Sequence, residues 1–294
     1  MTDSFRSGYV SFTGRPNVGK STLLNTVLGQ KIAIVADRQQ TTRNRLLGIR
    51  NSPEAQIIFV DTPGIHKPRH ELGSIMVKTA REVLGEMDLV VLVTEPHSVE
   101  KDRYIIELLR NIDKPVFLLL NKIDKIRKPE ILLLIDAYKN LFEFKEIIPV
   151  SAVKLDGVDL FLEKVLESLP SGPKYYSEDL VTDQMEKFMA AEIIREKIVA
   201  NTSEEIPHSV AVEVTGWDEN KEGIVIIGAN IYVEREGQKG IIIGKRGKML
   251  KQVGTLARLD IEKLLDVKVY LELRVKVRKG WRDDKKMLNE LGYR

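Results

Sequence analysis

Gly14-Arg15-Pro16-Asn17-Val18-Gly19-Lys20-Ser21 is the stretch on which the reading of this chain turns. It matches the phosphate-binding pattern G-x-x-x-x-G-K-[ST], in which each residue type has a physical task. The glycines let the backbone curl into a ring of N–H donors around an anion. Lys20 brings positive charge to the β- and γ-phosphates, and the Ser21 hydroxyl can ligate Mg²⁺. Asn17, Val18, Gly19 and Thr22 complete the cradle. The apolar run Tyr9–Thr13 precedes it and helical spacing follows from Ser21, so a helix aims its positive end at the phosphates.

Outward from this loop, short runs of Val, Ile, Leu and Phe recur at 57–61, 88–93, 116–120 and 147–150. Runs of this kind read as strands buried on both faces. Helical segments begin near Ser21, Gly73, Glu100, Lys128 and Gly157, and the alternation predicts a doubly wound, mostly parallel α/β domain. Leu46–Arg50, close before Ile57–Asp61, reads as a hairpin and hence one antiparallel edge strand. The stretch Leu169-Pro170-Ser171-Gly172-Pro173 ends the pattern. The boundaries are therefore 1–170 for the first domain, 171–181 for a linker and 182–294 for the second domain with a C-terminal extension.

Three further elements fall on successive strand ends. Asp61-Thr62-Pro63-Gly64 offers a carboxylate to the Mg²⁺ shell and a glycine N–H to a γ-phosphate. Asn121-Lys122-Ile123-Asp124 selects the base, because a carboxylate accepts two hydrogen bonds from guanine's ring N–H and amino group, a donor pair that adenine lacks. Lys122 is expected to cover the base, and Ser151-Ala152-Val153 to give a backbone N–H to the guanine oxygen. Together the four elements imply a GTP/GDP site with Mg²⁺.

Composition agrees with this and narrows little else. Of 294 residues, 43% are hydrophobic and 30% charged, enough for real cores in a soluble chain. There is no cysteine, which excludes disulfides, thiolate metal sites and a cysteine nucleophile. The N-terminus has no signal-peptide pattern and no run is long enough to span a bilayer, so a cytoplasmic protein is expected. The net charge of +3 names no partner.

The order of these motifs, with Gln40-Thr41-Thr42-Arg43 between the first two, resembles the Era family of translation-factor-related GTPases over nearly the whole chain. The resemblance implies that Thr42, rather than Thr41, is the switch threonine on Mg²⁺. The phosphate set is then Gly14, Asn17–Thr22 and Gly64, and the metal set Ser21, Thr42 and Asp61. Lys20, Thr42 and Gly64 form the hydrolytic set. Ras-type enzymes orient the attacking water with a glutamine after Asp-x-x-Gly, but Ile65 stands there and cannot hydrogen-bond, so slow intrinsic hydrolysis is expected. Related GTPases hold K⁺ beside the phosphates with an asparagine at the position of Asn17. His66 and His70 are four apart, but Pro68 between them argues for an exposed switch segment over a metal pair.

Beyond the linker the reading is helix (182–200, capped by Thr182 or Asp183), strands at 209–215 and 224–236, a short helical turn, a long helix at 248–265 and an alternating strand at 267–277. This order resembles a type II KH domain, an α+β fold whose G-x-x-G loop clamps about four single-stranded nucleotides. Gly244-Lys245-Arg246-Gly247 fits that loop, with Lys248 and Lys251 adding charge and Arg274, Lys276, Arg278, Lys279 and Arg282 extending it. Gly237-Gln238-Lys239-Gly240 also matches but reads as a turn after a strand. The family likeness implies single-stranded RNA as ligand, the 3′ end of small-subunit ribosomal RNA, during assembly of the 30S subunit. It also implies a monomer with peripheral contact at the inner face of the cell membrane. The competing expectation is a signalling GTPase whose basic tail binds a protein or a membrane surface.

Overall fold

The computed structural model describes residues 5–35, 42–66, 68, 70–97, 99–203 and 205–293. The chain divides into two compact units, one built mainly from residues before Gln184 and the other mainly from Gln184–Arg294.

In the first unit the strands are β1 (Arg6–Thr13), β2 (Leu46–Asn51), β3 (Ala55–Asp61), β4 (Leu89–Thr94), β5 (Val116–Leu120) and β6 (Glu146–Pro149). The helices are α1 (Lys20–Leu28), α2 (Glu71–Gly85), α3 (Arg103–Leu109), α4 (Lys128–Lys139) and α5 (Val158–Ser168). The sheet runs β2-β3-β1-β4-β5-β6. All neighbours are parallel except β2 and β3, so the mostly parallel sheet has its antiparallel edge where the hairpin reading puts it. β3, β4 and β5 are buried along their whole length, which is why their sequences are continuously apolar. Phe12 and Phe59 stack with centroids 5.3 Å apart, and Phe161 of α5 packs on both. Strand order reverses at β1, so the loops after β1 and β3 open at the switch point where doubly wound folds bind ligands.

The segment 171–181, expected as a linker, is instead a strap on this unit. Gly172 donates to the Phe5 carbonyl (3.0 Å), Ser7 Oγ to the Pro173 carbonyl (2.6 Å) and Ile49 N–H to the Val181 carbonyl (2.8 Å). The buried side chain of Gln56 accepts from the N–H groups of Tyr175 and Tyr176 and donates to the Tyr176 carbonyl at 2.9 Å. Proline and glycine do mark the end of regular structure. A buried glutamine with hydrogen-bonding capacity to satisfy then holds the next residues down.

The second unit comprises α6 (Glu186–Asn201), α7 (Ile206–Ser209), β7 (Ala211–Glu219), β8 (Val225–Val233), α8 (Glu236–Ile243), α9 (Lys248–Leu265), β9 (Val269–Val277) and α10 (Lys285–Glu290). Its sheet runs β7-β8-β9, antiparallel then parallel. Ile194, Ile198, Ile227, Ile231, Val253 and Ile261 are among its fully buried core side chains. Three expectations change here. The first helix starts at Glu186 after Met185, not at Thr182 or Asp183, because Val181 is still paired with the edge of β2 and the chain is extended there. The strand expected to reach Glu236 ends at Val233, and Gly237-Gln238-Lys239-Gly240 lies in helix α8 rather than in a turn. Gln238 Oε1 accepts the N–H groups of Glu234 and Arg235 at 2.9 and 3.1 Å, a cap that offsets the glycines' poor helix propensity.

Candidate nucleotide and nucleic-acid sites

The loop from Gly14 to Ser21 is bent by left-handed backbone conformations: φ is +145° at Gly14, +67° at Asn17 and +98° at Gly19. A Cβ on Gly14 would lie 2.3 Å from the Val93 carbonyl oxygen, so only glycine fits against β4. Lys20 is buried, and its ammonium donates to the carbonyls of Gly14 (3.3 Å) and Arg15 (3.0 Å). Burial pulls its pKa down to about 8, against the attraction of Asp61. The lysine is therefore stored against the loop as an under-solvated cation, an arrangement that an anion would relieve.

Three oxygens from separate elements meet beside it. Asp61 Oδ2 accepts from Ser21 Oγ (2.7 Å) and Thr42 Oγ1 (2.9 Å), and the two hydroxyls are 2.8 Å apart. Asp61 is fully buried, and among the described residues its Oδ1 has no hydrogen-bond partner. Burial raises its pKa, with Lys20 and the two hydroxyls opposing. A carboxylate this buried with an orphaned oxygen, among hard oxygen donors, fits a hard divalent cation such as Mg²⁺. Thr42 thus joins the set, whereas Gln40 and Thr41 lie outside the described residues.

Gly64 stands where the loops nearly touch. A Cβ there would be 2.7 Å from the Pro16 nitrogen, and the next N–H, of Ile65, donates to the Gly14 carbonyl at 3.1 Å. The Ile65 side chain is buried in the core, so this position is a packing residue and cannot orient water. His66 Nδ1 lies 2.8 Å from the Gly64 carbonyl oxygen. Among the described residues no group of three His, Cys, Asp or Glu is arranged to hold a metal.

The elements expected to select the base are bound to one another. Asn121 is buried; its Nδ2 donates to the Val18 carbonyl (2.9 Å) and its Oδ1 accepts the Ala152 N–H (3.1 Å). One side chain thereby joins the phosphate loop to the loop after β6. Ser151 Oγ donates to Asp124 Oδ1 at 2.6 Å and holds that carboxyl below its usual range. Asp124 is itself exposed and ready to accept. Ser151 therefore acts through Asp124, and the Ala152 N–H is taken by Asn121. Lys122, at φ +62°, donates to the Asn17 carbonyl and to Glu95 Oε2, both at 2.5 Å. Glu95, just past β4, carries no motif signal, and only its contact with Lys122 places it in the site. Val153, in the same loop, is 73% exposed.

In the second unit, Gly244-Lys245-Arg246-Gly247 forms a tight turn at the N-terminus of α9. Gly244 (φ +70°, ψ 175°) adopts a glycine-only conformation, and a Cβ there would lie 2.7 Å from Met249 Cβ. Lys245, Arg246, Lys248 and Lys251 are all exposed. Arg282, expected as part of the positive surface, is instead paired with Glu234 Oε2 at 2.5 Å, and Arg274 lies 3.5 Å from Glu272. The turn opens into a groove of about 480 Å³, walled by Leu250, Lys251, Thr255 and Arg258 of α9 and by Tyr270 and Leu273 of β9. Of these the sequence points to Lys251 by its charge and to Tyr270 as an outward position of the alternating strand, but nothing in it says which face of α9 the strand β9 leaves open.

Comparison with known proteins follows the two units. Residues 9–122 match the family described as 50S ribosome-binding GTPase, and residues 205–282 match the KH domain family. The chain is 52% identical to the GTPase Era of Ruminiclostridium cellulolyticum over 99% of its own length and 98% of that relative's. It is 52% identical to the GTPase Era of Geobacter metallireducens over the full length of both. The chain belongs to the Era family of GTPases. Its structure superposes on that of an Era crystallised with MgGDPNP and nucleotides 1506–1542 of 16S ribosomal RNA, with a TM-score of 0.94, 40% identity and coverage of 98% and 99% of the two chains. A point variant of the Aquifex aeolicus Era, bound to GDP and AlF4⁻, gives a TM-score of 0.93, also at 40% identity and with the same coverage. Among the described residues of this Era-family chain, no helix is long and apolar enough to cross a membrane.

Proposed function

We propose that this Era-family GTPase is a molecular switch that binds GTP with Mg²⁺ and, through its KH unit, the single-stranded 3′ end of small-subunit ribosomal RNA during 30S assembly. The observation that carries the reading is the joint presence in one chain of the Ser21–Thr42–Asp61 oxygen cluster, with its orphaned Asp61 oxygen, and the strained G-x-x-G turn. An Era crystallised with both ligand types, at 40% identity over nearly the whole chain, supports it.

Gly14, Asn17–Thr22 and Gly64 would surround the phosphates, and Asn121, Lys122, Asp124 and the 151–153 loop the guanine. Mg²⁺, held by the hydroxyls of Ser21 and Thr42 with Asp61 behind them, would supply charge neutralisation at the phosphates. Lys20 adds a fixed positive charge where negative charge develops. Because the side chain of Ile65 is in the core, nothing at that position orients water. K⁺ beside Asn17 would supply further charge, and intrinsic turnover is slow. The protein works in the cytoplasm, with peripheral contact at the inner face of the membrane as the finer reading, to be tested by sedimentation with anionic vesicles.

The decisive experiment is fluorescence anisotropy of the 3′-tail RNA on the full chain, with GDP and with a non-hydrolysable GTP analogue, beside a Gly244→Asp, Gly247→Asp variant. Tail-selective binding that favours the GTP form and is lost in the variant is expected. Binding that ignores both sequence and nucleotide would overturn the switch and return attention to protein or membrane partners.

A further inference from the structure

Asp102 holds the N-cap position of α3, where an aspartate ordinarily accepts N–H groups of the first helical turn. Its side chain makes no such bond. It is fully buried instead, between the end of β4 and α4. Asp102 Oδ2 accepts from Thr94 Oγ1 and from the Tyr138 hydroxyl, both at 2.6 Å, and the two hydroxyls are 2.8 Å apart. Thr94 and Tyr138 are fully buried as well. Burial, and after it the charge of Asp102 and its hydrogen bond, hold the Tyr138 phenol well above its usual range, so it stays a donor. A carboxylate without its cap and its hydration depends on these two hydroxyls.

What the three groups hold is the turn after β4. Thr94 is the last residue of the strand, and its carbonyl accepts the Asn121 N–H at 2.8 Å. Glu95, next in the chain, accepts from the Lys122 ammonium at 2.5 Å. At the far side of the turn, His97 Nε2 lies 3.7 Å from Asp102 Oδ2. Two consecutive residues thus reach the Asn121-Lys122 pair, one through its backbone and one through a carboxylate. The side chains of Lys122 and Glu95 are 24% and 31% exposed, so their ion pair is too weakly screened from water to fix the lysine alone. Its geometry follows the backbone at 94–95, and Asp102 fixes that backbone through Thr94.

Resting on the guanine-nucleotide reading above, we infer that Asp102, Thr94 and Tyr138 are positioning residues for nucleotide retention: they fix the turn from which Glu95 holds Lys122 over the base. All three are buried, so they act through Glu95 and Lys122. The hydroxyls matter here, not the volumes they fill. Valine at position 94 keeps the volume and leaves Asp102 short of a donor, whereas serine keeps the donor and loses a methyl group. Loosening the lysine frees a bound base without changing the encounter, so the effect falls on the dissociation rate.

The test is stopped-flow release of a fluorescent GDP from the full chain with Mg²⁺, chased by excess GDP, with a urea titration of each protein. Thr94→Val and Tyr138→Phe are each expected to release GDP about fivefold faster, and Thr94→Ser to stay within about twofold of wild type. Glu95→Ala should also release it about fivefold faster. Tyr138→Phe and Glu95→Ala together should be no faster than the faster single change, because both act on one link. Val116→Ala, a cavity variant at the other end of β5, should lower urea stability and leave release within about twofold of wild type. If Thr94→Val does not fold, Tyr138→Phe against Val116→Ala decides the matter. Release from Tyr138→Phe within about twofold of wild type would overturn the inference. Equal rates for Thr94→Val and Thr94→Ser would overturn it too, since that pattern marks packing. So would multiplied rates in the double variant, or rates that track urea stability with Val116→Ala included. A wild type that binds no GDP would overturn the nucleotide reading itself, and the positioning role with it.

Discussion

Asn121→Ala tests whether the nucleotide site is a single braced unit. The wild-type side chain makes two hydrogen bonds in a buried position, to the Val18 carbonyl at 2.9 Å and from the Ala152 N–H at 3.1 Å. Alanine leaves both backbone groups without that partner. An unmet buried polar group costs ~1–3 kcal/mol, so the pair costs about 2–6 kcal/mol. The vacated space admits water, which trims the upper end to about 4 kcal/mol. If the loops open to relieve this cost, binding must impose it again, giving a GDP affinity about 30- to 1000-fold weaker. Thr26→Ala is the graded control. It removes a single bond, from Thr26 Oγ1 to the Ala152 carbonyl at 3.1 Å, and should weaken binding by about tenfold or less. Stopped-flow measurement with a fluorescent GDP should place most of both effects in the dissociation rate. An Asn121→Ala protein that binds GDP within about threefold of wild type would refute the bracing argument, because ~0.7 kcal/mol is less than one lost bond.

Other consequences can be checked separately. Lys20 has a folded pKa of about 8 against an ordinary 10.5, so burial penalises its charged form. That penalty is fully present below pH ~8 and is relieved as pH rises toward 10.5, where the unfolded chain binds the extra proton. Phosphates restore the charged lysine. Calorimetry without Mg²⁺ in two buffers should therefore show proton uptake on GDP binding at pH ~8.5 and none near ~6.5; no uptake at the higher pH refutes it. Gly244→Ala should damage RNA binding far more than Gly247→Ala. The first forces a Cβ to 2.7 Å from Met249 Cβ, whereas the second has open space and only a left-handed backbone cost of ~1–2 kcal/mol. Equal anisotropy losses would contradict this. GTP hydrolysis should be faster in K⁺ than in Na⁺, and Asn17→Ala should remove the difference; equal wild-type rates end the K⁺ proposal.

Much of this protein is local and therefore legible. Val, Ile, Leu and Phe runs bounded by Gly14, Asp61 and Asn121 define largely buried strands with the chemistry at their ends, whereas the run before Ser151, expected to be buried on both faces, is the edge strand β6, in which Ile148 is buried and its neighbours are only half-buried. Parallel order follows from the helices between them, and the hairpin at Leu46–Asp61 sets the antiparallel edge. The span of α9, from Lys248 to Leu265, is readable from its spacing. What the sequence leaves open depends on groups far apart in the chain. Gln56 decides that 171–181 is a strap, because a buried amide must find partners wherever they lie, whereas Gln238 caps the glycine-rich stretch as helix α8 through the nearby N–H groups of Glu234 and Arg235. Ile65 reads as a missing catalytic glutamine, but only packing shows that its side chain is in the core. Asp61 Oδ1, left without a partner among the described residues, and Glu95 on Lys122 are likewise matters of proximity. Residue type and spacing determine which chemistry a chain can do; the packing of distant segments decides which of those groups meet, and which are left unpaired to bind something else.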